Sequence, residues 1–152
     1  MLIMELEKEI QSNKFEDGYH KAVVNVSYTY GWLSNMLRAH LEKHNVTHQQ
    51  FNILRILRGQ FPNAATVNLL KDRMIDKMCD ASRIVDRLVQ KELVTRCTNS
   101  KDRRAVDIRI SEEGLKILAL IDKEVKMKDF LSDNLTEEEA LTLCTLLDKM
   151  RG

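Results

Sequence analysis

One proline and five glycines in 152 residues leave little material for long irregular loops. Glycine tolerates left-handed backbone and proline lacks an amide donor, so their scarcity favours helices joined by short connections. Cysteine is equally sparse. Cys79, Cys97 and Cys144 are odd in number and far apart, which argues against a disulfide framework and against a Cys-x-x-Cys zinc site. No apolar run approaches the roughly 20 residues that a membrane span needs, so no membrane partner is expected. The acidic start, "MLIMELEKEI", carries no basic leader or cleavage signature, and the reducing cytoplasm is the expected compartment. A glycine-rich phosphate loop, a serine elbow and a paired-carboxylate site are also missing, so neither an enzymatic activity nor a cofactor is expected.

What the chain does contain is an uneven distribution of charge. The net charge is +1, but between Phe51 and Ile110 there are 13 Lys/Arg and 7 Asp/Glu. The remainder holds 11 Lys/Arg and 16 Asp/Glu. A basic middle between acidic flanks suggests a centre that faces a polyanion and flanks with another task. The length suits one domain with a real core.

Helix starts are easy to place. Thr47 with Gln50 and Thr136 with Glu139 each form a capping-box pattern ahead of apolar residues at helical spacing. Thr66 can cap a short helix with Leu69 and Leu70 inward, and Asp76 can cap a helix over Lys77–Lys91. "LVTRCT" and "AVDIRI" alternate and are rich in β-branched residues, which predicts a two-stranded hairpin around the charged "NSKDRR". Val106, Ile108 and Ile110 then point to the core, and Ser111 opens a further helix. An extra N-terminal helix of about 14 residues is expected, with Leu2, Leu6 and Ile10 on one face. The fold class is therefore mainly α with a small β-hairpin wing, a winged helix-turn-helix, with a helical dimerisation layer from the N- and C-terminal helices. Residues 1–45 and 111–152 supply that layer, and residues 46–110 form the DNA-binding lobe.

Drawn as a wheel, the Lys77–Lys91 segment puts Ala81, Ile84, Val85 and Leu88 on a core side. Cys79, Ser82, Arg83 and Asp86 lie opposite, with Asp80 and Arg87 on the flank. A helix entering the major groove needs small and polar residues early, with a guanidinium able to reach guanine or a phosphate. Ser82 and Arg83 meet that need. Pairing of Asp86 with Arg83 or Gln90 would offset its repulsion of phosphate.

"VTHQQFNILRIL", "DASRIVDRLVQKELVTRCTNSKDRRAVDIRISEEGLKIL" and "LTEEEALTLCTLLDKM" together resemble the MarR family of bacterial transcription regulators. The strongest match is the wing, where the family pattern Asp-x-Arg falls on Asp102 and Arg104. The resemblance implies a homodimer that binds a pseudo-palindromic operator in double-stranded DNA, most often a repressor answering to a small-molecule effector. It places Thr66, Lys77, Cys79, Ser82, Arg83, Arg87 and Lys101 among the DNA contacts, with Arg103 or Arg104 in the minor groove. Asp102 then orients the wing arginines. The chain departs from the family pattern at Glu92, where a glycine is usual, and at Cys79 and Asp80, where small hydroxyl residues are frequent.

Other readings stay open on the sequence alone. Cys79 at a helix N-terminus could carry a lowered thiol pKa and a redox response. A winged helix can also serve as a protein–protein adaptor, without any need for a basic middle. Tyr19, Tyr28 and Trp32, with Tyr30 nearby, are candidates to stack a planar effector. His40, His44 and His48 follow at four-residue intervals, but the helix must break near Asn45–Thr47 and no metal site is expected. Cys97 and Cys144 read as packing residues.

Overall fold

The computed structural model describes residues 4–99 and 106–152. The elements run α1 Leu6–Glu9, α2 Gly18–Leu41, α3 His48–Gln60, α4 Val67–Arg73, α5 Ala81–Gln90, β1 Val94–Thr98, β2 Val106–Ile110, α6 Glu112–Glu124 and α7 Glu137–Arg151. They fall into two compact units, Leu37–Glu124 and the remainder.

The Leu37–Glu124 unit is built on the predicted caps. Thr47 accepts from the amide of Gln50, and the Gln50 side chain accepts from the amide of Thr47, so α3 opens with a complete capping box. Gln50 is 3% exposed and is the buried polar residue of this core. Its Oε1 also accepts from Lys91 Nζ at 3.1 Å, and the same ammonium donates to the Asn45 carbonyl. A buried amide is tolerable only when its polar atoms are partnered, and Lys91 ties the end of α5 to the start of α3 in doing so. Phe51, Ile53, Leu54 and Leu57 from α3 meet Leu70, Val85, Leu88, Ile108, Leu118 and Ile121 in the core.

β1 and β2 pair antiparallel, from Val94 opposite Ile110 to Thr98 opposite Val106. Ile108 and Ile110 are buried as their alternation predicts, whereas Val106 is only half-buried. Ala65 adds a bridge that has no signature in the sequence: its amide donates to the Ile108 carbonyl at 2.8 Å and its carbonyl accepts from the Ile108 amide at 2.9 Å. The chain entering α4 is thereby stitched to the wing.

Helix α5 closes on a Schellman motif. The Leu93 amide bonds the Leu88 carbonyl and the Glu92 amide bonds the Val89 carbonyl, with Glu92 at φ +59°. This left-handed position suits glycine, and a residue with a Cβ is strained there. The departure from the family's glycine therefore leaves the turn in place at a cost to stability. Glu92→Gly is expected to raise stability by about 0.5–1 kcal/mol, after the greater unfolded-state freedom of glycine is set against the relieved strain. A urea melt with an unchanged or lower midpoint would refute that account.

The other unit holds α1, most of α2 and α7. α1 is a single turn, not the 14-residue helix that the apolar spacing predicts; of the expected stripe Leu6 is buried, Ile10 is half-buried, and Leu2 lies outside the described residues. One turn cannot hold itself together, since helix nucleation is costly. Its acids are instead bound to α2, Glu7 by Lys21 and Glu9 by the Tyr28 hydroxyl at 2.8 Å. The Lys21 contact lowers the Glu7 pKa, and donation to Glu9 raises that of Tyr28. α7 opens with the expected Thr136–Glu139 capping box. No side chain of α7 is buried within the chain: Leu141, Leu143, Leu146 and Met150 all stand exposed. Cys144 is exposed on the same helix and Cys97 is exposed on β1, so neither packs within its own chain. Four of the five β1 residues are exposed, which leaves only Val94 reaching the core from that strand.

Candidate nucleic-acid interface

Helices α3, α4 and α5, followed by the β1–β2 hairpin, set out a helix-turn-helix with a wing. On α5 the division of faces is sharp. Ala81, Ile84, Val85 and Leu88 are buried, while Ser82, Arg83, Asp86 and Arg87 are exposed.

The helix begins at Ala81 rather than at Lys77, and Asp80 rather than Asp76 caps it. Asp80 Oδ1 accepts from the Arg83 amide at 3.1 Å. Asp76 is otherwise engaged: one oxygen accepts from the Met78 amide at 3.0 Å and the other from Gln49 Nε2 at 2.9 Å. An aspartate that bonds the backbone two residues on favours a turn over a helix. Cys79 and Asp80 are therefore not on the α5 wheel, and the exposed helical face is Ser82, Arg83, Asp86 and Arg87.

Cys79 is half-buried ahead of the cap. Burial pushes its thiol pKa up, and the carboxylates of Asp76 and Asp80 add to the effect. The direction is opposite to that expected of a thiol activated by a helix terminus, because burial and then the nearby carboxylates both disfavour the thiolate. Alkylation of Cys79 by iodoacetamide at neutral pH should accordingly run slower than that of a small thiol of ordinary pKa. A faster reaction would restore the redox reading.

Asp86 is paired with neither Arg83 nor Gln90. Its Oδ1 accepts from Arg96 of β1 at 2.6 Å, joining α5 to the wing. Sequence reasoning missed Arg96 because a cross-element pair leaves no spacing signal. Thr66 caps α4 by accepting from the Leu69 amide at 3.2 Å, and Lys77 donates to the Asp72 carbonyl. Both remain exposed. Lys101, Asp102, Arg103 and Arg104 lie outside the described residues.

The candidate aromatics are spread along α2. Tyr19 is 85% exposed, Tyr28 and Trp32 are half-buried, and the Tyr28 hydroxyl is given to Glu9. A cavity of about 190 Å³ lies in the Leu37–Glu124 unit, lined by Arg38, Glu42, Asn45, Val46, Thr47 and His48. None of the three aromatics lines it. His44 Nε2 sits 3.0 Å from Glu124 Oε2, and this contact lowers the Glu124 pKa. Among the described residues no group of three or more His, Cys, Asp or Glu is placed to hold a metal, and no helix is long and apolar enough to cross a membrane.

This arrangement defines a winged helix-turn-helix protein. A family model described as MarR family matches residues 46–106. The HTH-type transcriptional repressor MdtR of Bacillus subtilis (strain 168) is 34% identical, over 72% of this chain and 70% of its own length. The HTH-type transcriptional regulator MhqR of the same organism is 26% identical, over 87% of this chain and 90% of its own. Among solved structures, a mutant MarR from E. coli complexed with operator DNA is 26% identical with a TM-score of 0.72, covering 97% of this chain and 99% of that one. The chain belongs to the MarR family of transcriptional regulators, which are not enzymes.

Proposed function

We propose that the protein is a sequence-specific DNA-binding regulator that docks as a homodimer on a pseudo-palindromic operator, most plainly as a repressor in the cytoplasm. The observation that carries this reading is the exposed Ser82–Arg83–Asp86–Arg87 face of α5, held outward by a fully buried opposite face. The E. coli relative bound to operator DNA and the repressor MdtR support it by likeness. Ser82 and Arg83 contact base edges in the major groove, while Thr66, Lys77 and Arg87 contact phosphates. Arg96 neutralises Asp86, so that the one acid on this face repels the backbone less. Arg103 or Arg104 enters the minor groove, with Lys101 on a phosphate and Asp102 orienting the wing.

The exposed apolar side chains of α7 support the dimer, since a helix with no side chain buried in its own chain needs a partner surface. An effector, with Tyr28 and Trp32 as its candidate contacts, belongs to the same proposal. It would act by shifting the spacing of the two recognition helices.

Duplex affinity is expected to fall steeply with salt, because each phosphate neutralised releases counterions and adds about −0.9 to the log–log slope. With about six such contacts the affinity should drop on the order of a thousandfold between 50 and 200 mM salt. A flat salt dependence would favour the adaptor reading.

A further inference from the structure

The seven residues joining α4 to α5 are held on several sides. Met74 is fully buried, and the Ile75 amide donates to Asn52 Oδ1 at 3.0 Å. Asp76 is bound by Gln49 of α3 and by the Met78 amide, and Lys77 reaches back to the Asp72 carbonyl. The result is a fixed turn that leaves Ile75 70% exposed and Met78 93% exposed. Two large apolar side chains within four residues are thus kept in water by a turn that nothing leaves slack.

Their neighbours suggest what covers them. Met78 stands two residues ahead of Asp80, the cap of α5, and so at the leading end of the helix that carries Ser82 and Arg83. Lys71, Arg73 and Lys77 are exposed along the same stretch, interleaved with the exposed acids Asp72 and Asp80 and the half-buried Asp76. An apolar protein partner would have to desolvate that ring of charges. A DNA duplex supplies phosphates for Lys71 and Arg73, leaves the charges beyond its edge in water, and offers in its major groove one apolar group, the C5-methyl of thymine. Methionine, unbranched and polarisable, adapts well to such a target.

We propose that Met78, supported by Ile75, reads thymine methyl groups at the edge of the major-groove contact made by α5. This rests on the DNA-binding reading above and adds a base preference to it.

The test begins with the full chain and a duplex selected from a random-sequence library. Thymines of that duplex are replaced by deoxyuracil, which lacks only the methyl, one symmetric pair of positions at a time. At one such position the wild type is expected to lose about fourfold per half-site, the equivalent of the roughly 0.8 kcal/mol for burying one methyl-sized group. Met78→Ala should bind the thymine and uracil duplexes alike, while Met78→Leu keeps most of the discrimination. Both variants should melt like the wild type, since the side chain touches solvent. Retention of the wild-type thymine-to-uracil ratio by Met78→Ala would overturn the proposal, whether or not overall affinity falls. Selection of no duplex by the wild type would sink the DNA-binding reading itself, a result distinct from selection without methyl dependence.

Discussion

Replacing Gly114 by alanine is expected to cost about 3 kcal/mol, the upper part of the range for forcing atoms into a packed site. A Cβ at this position would sit 2.3 Å from the Leu93 carbonyl oxygen and 2.8 Å from Ile110 Cγ1. The nearer neighbour is backbone and cannot swing aside as a flexible side chain could. That carbonyl also accepts from the Ser111 amide at 3.1 Å. The Ser111 hydroxyl meanwhile donates to the Glu92 carbonyl at 2.7 Å and accepts from the Gly114 amide at 3.0 Å. Relief of the clash therefore has to separate the end of α5 from the start of α6 and break at least one of these bonds. Since a domain's whole stability is only about 5–15 kcal/mol, a loss of this size should be plain in a denaturant midpoint. Gly59 on α3 provides the contrast, because a Cβ added there would meet nothing within 4 Å. Gly59→Ala should stabilise by about 0.5–1 kcal/mol through helix propensity alone. Equal effects at the two glycines would show that propensity, not the close approach, controls Gly114.

Arg83→Ala is expected to weaken operator binding by about 1–3 kcal/mol, roughly 5- to 150-fold, the range for a good bidentate base contact. Arg83 is the third residue of α5, its amide is fixed by Asp80, and its side chain is exposed on the face opposite Ala81, Ile84, Val85 and Leu88. Because it contributes nothing to the core, alanine there should leave the unfolding midpoint almost unchanged. The measurement is a titration of wild type and variant against the selected duplex and against an unrelated one. A base contact predicts that the loss is concentrated on the selected duplex. A loss shared equally by both would reassign Arg83 to phosphate, where contacts position the protein without specifying sequence. No loss on either would remove α5 from the interface.

The parts of this fold legible in the sequence are those governed by neighbours along the chain. Thr47 and Thr136 each lie three residues ahead of the partner that completes their box, and both helices start where that spacing puts them. The buried face of α5 follows from its apolar spacing. The start of α5 did not, because two aspartates four residues apart offer equivalent caps on paper. The choice of Asp80 is made by Gln49 and Asn52, side chains of α3 that claim the turn around Asp76 and Ile75. The Ala65 bridge and the Asp86–Arg96 pair were hidden for the same reason, since each joins segments that no periodicity relates. The candidate site was thus legible as a face and illegible as a set of partners. The depressed thiol expected of Cys79 failed with the displaced helix start, because ahead of the cap the thiol is desolvated by burial and then meets the carboxylates of Asp76 and Asp80.

The pair of hydrogen bonds between Ala65 and Ile108 has a mechanical meaning. Ala65 immediately precedes Thr66, the cap of α4, and Ile108 is the midpoint of the returning wing strand. A displacement of the wing at its base is therefore transmitted to the first turn of α4 without passing through α5. The two arms that the proposed interface lays on DNA, the helical turn and the wing, are sprung from a single anchor, so that loading one alters the seating of the other.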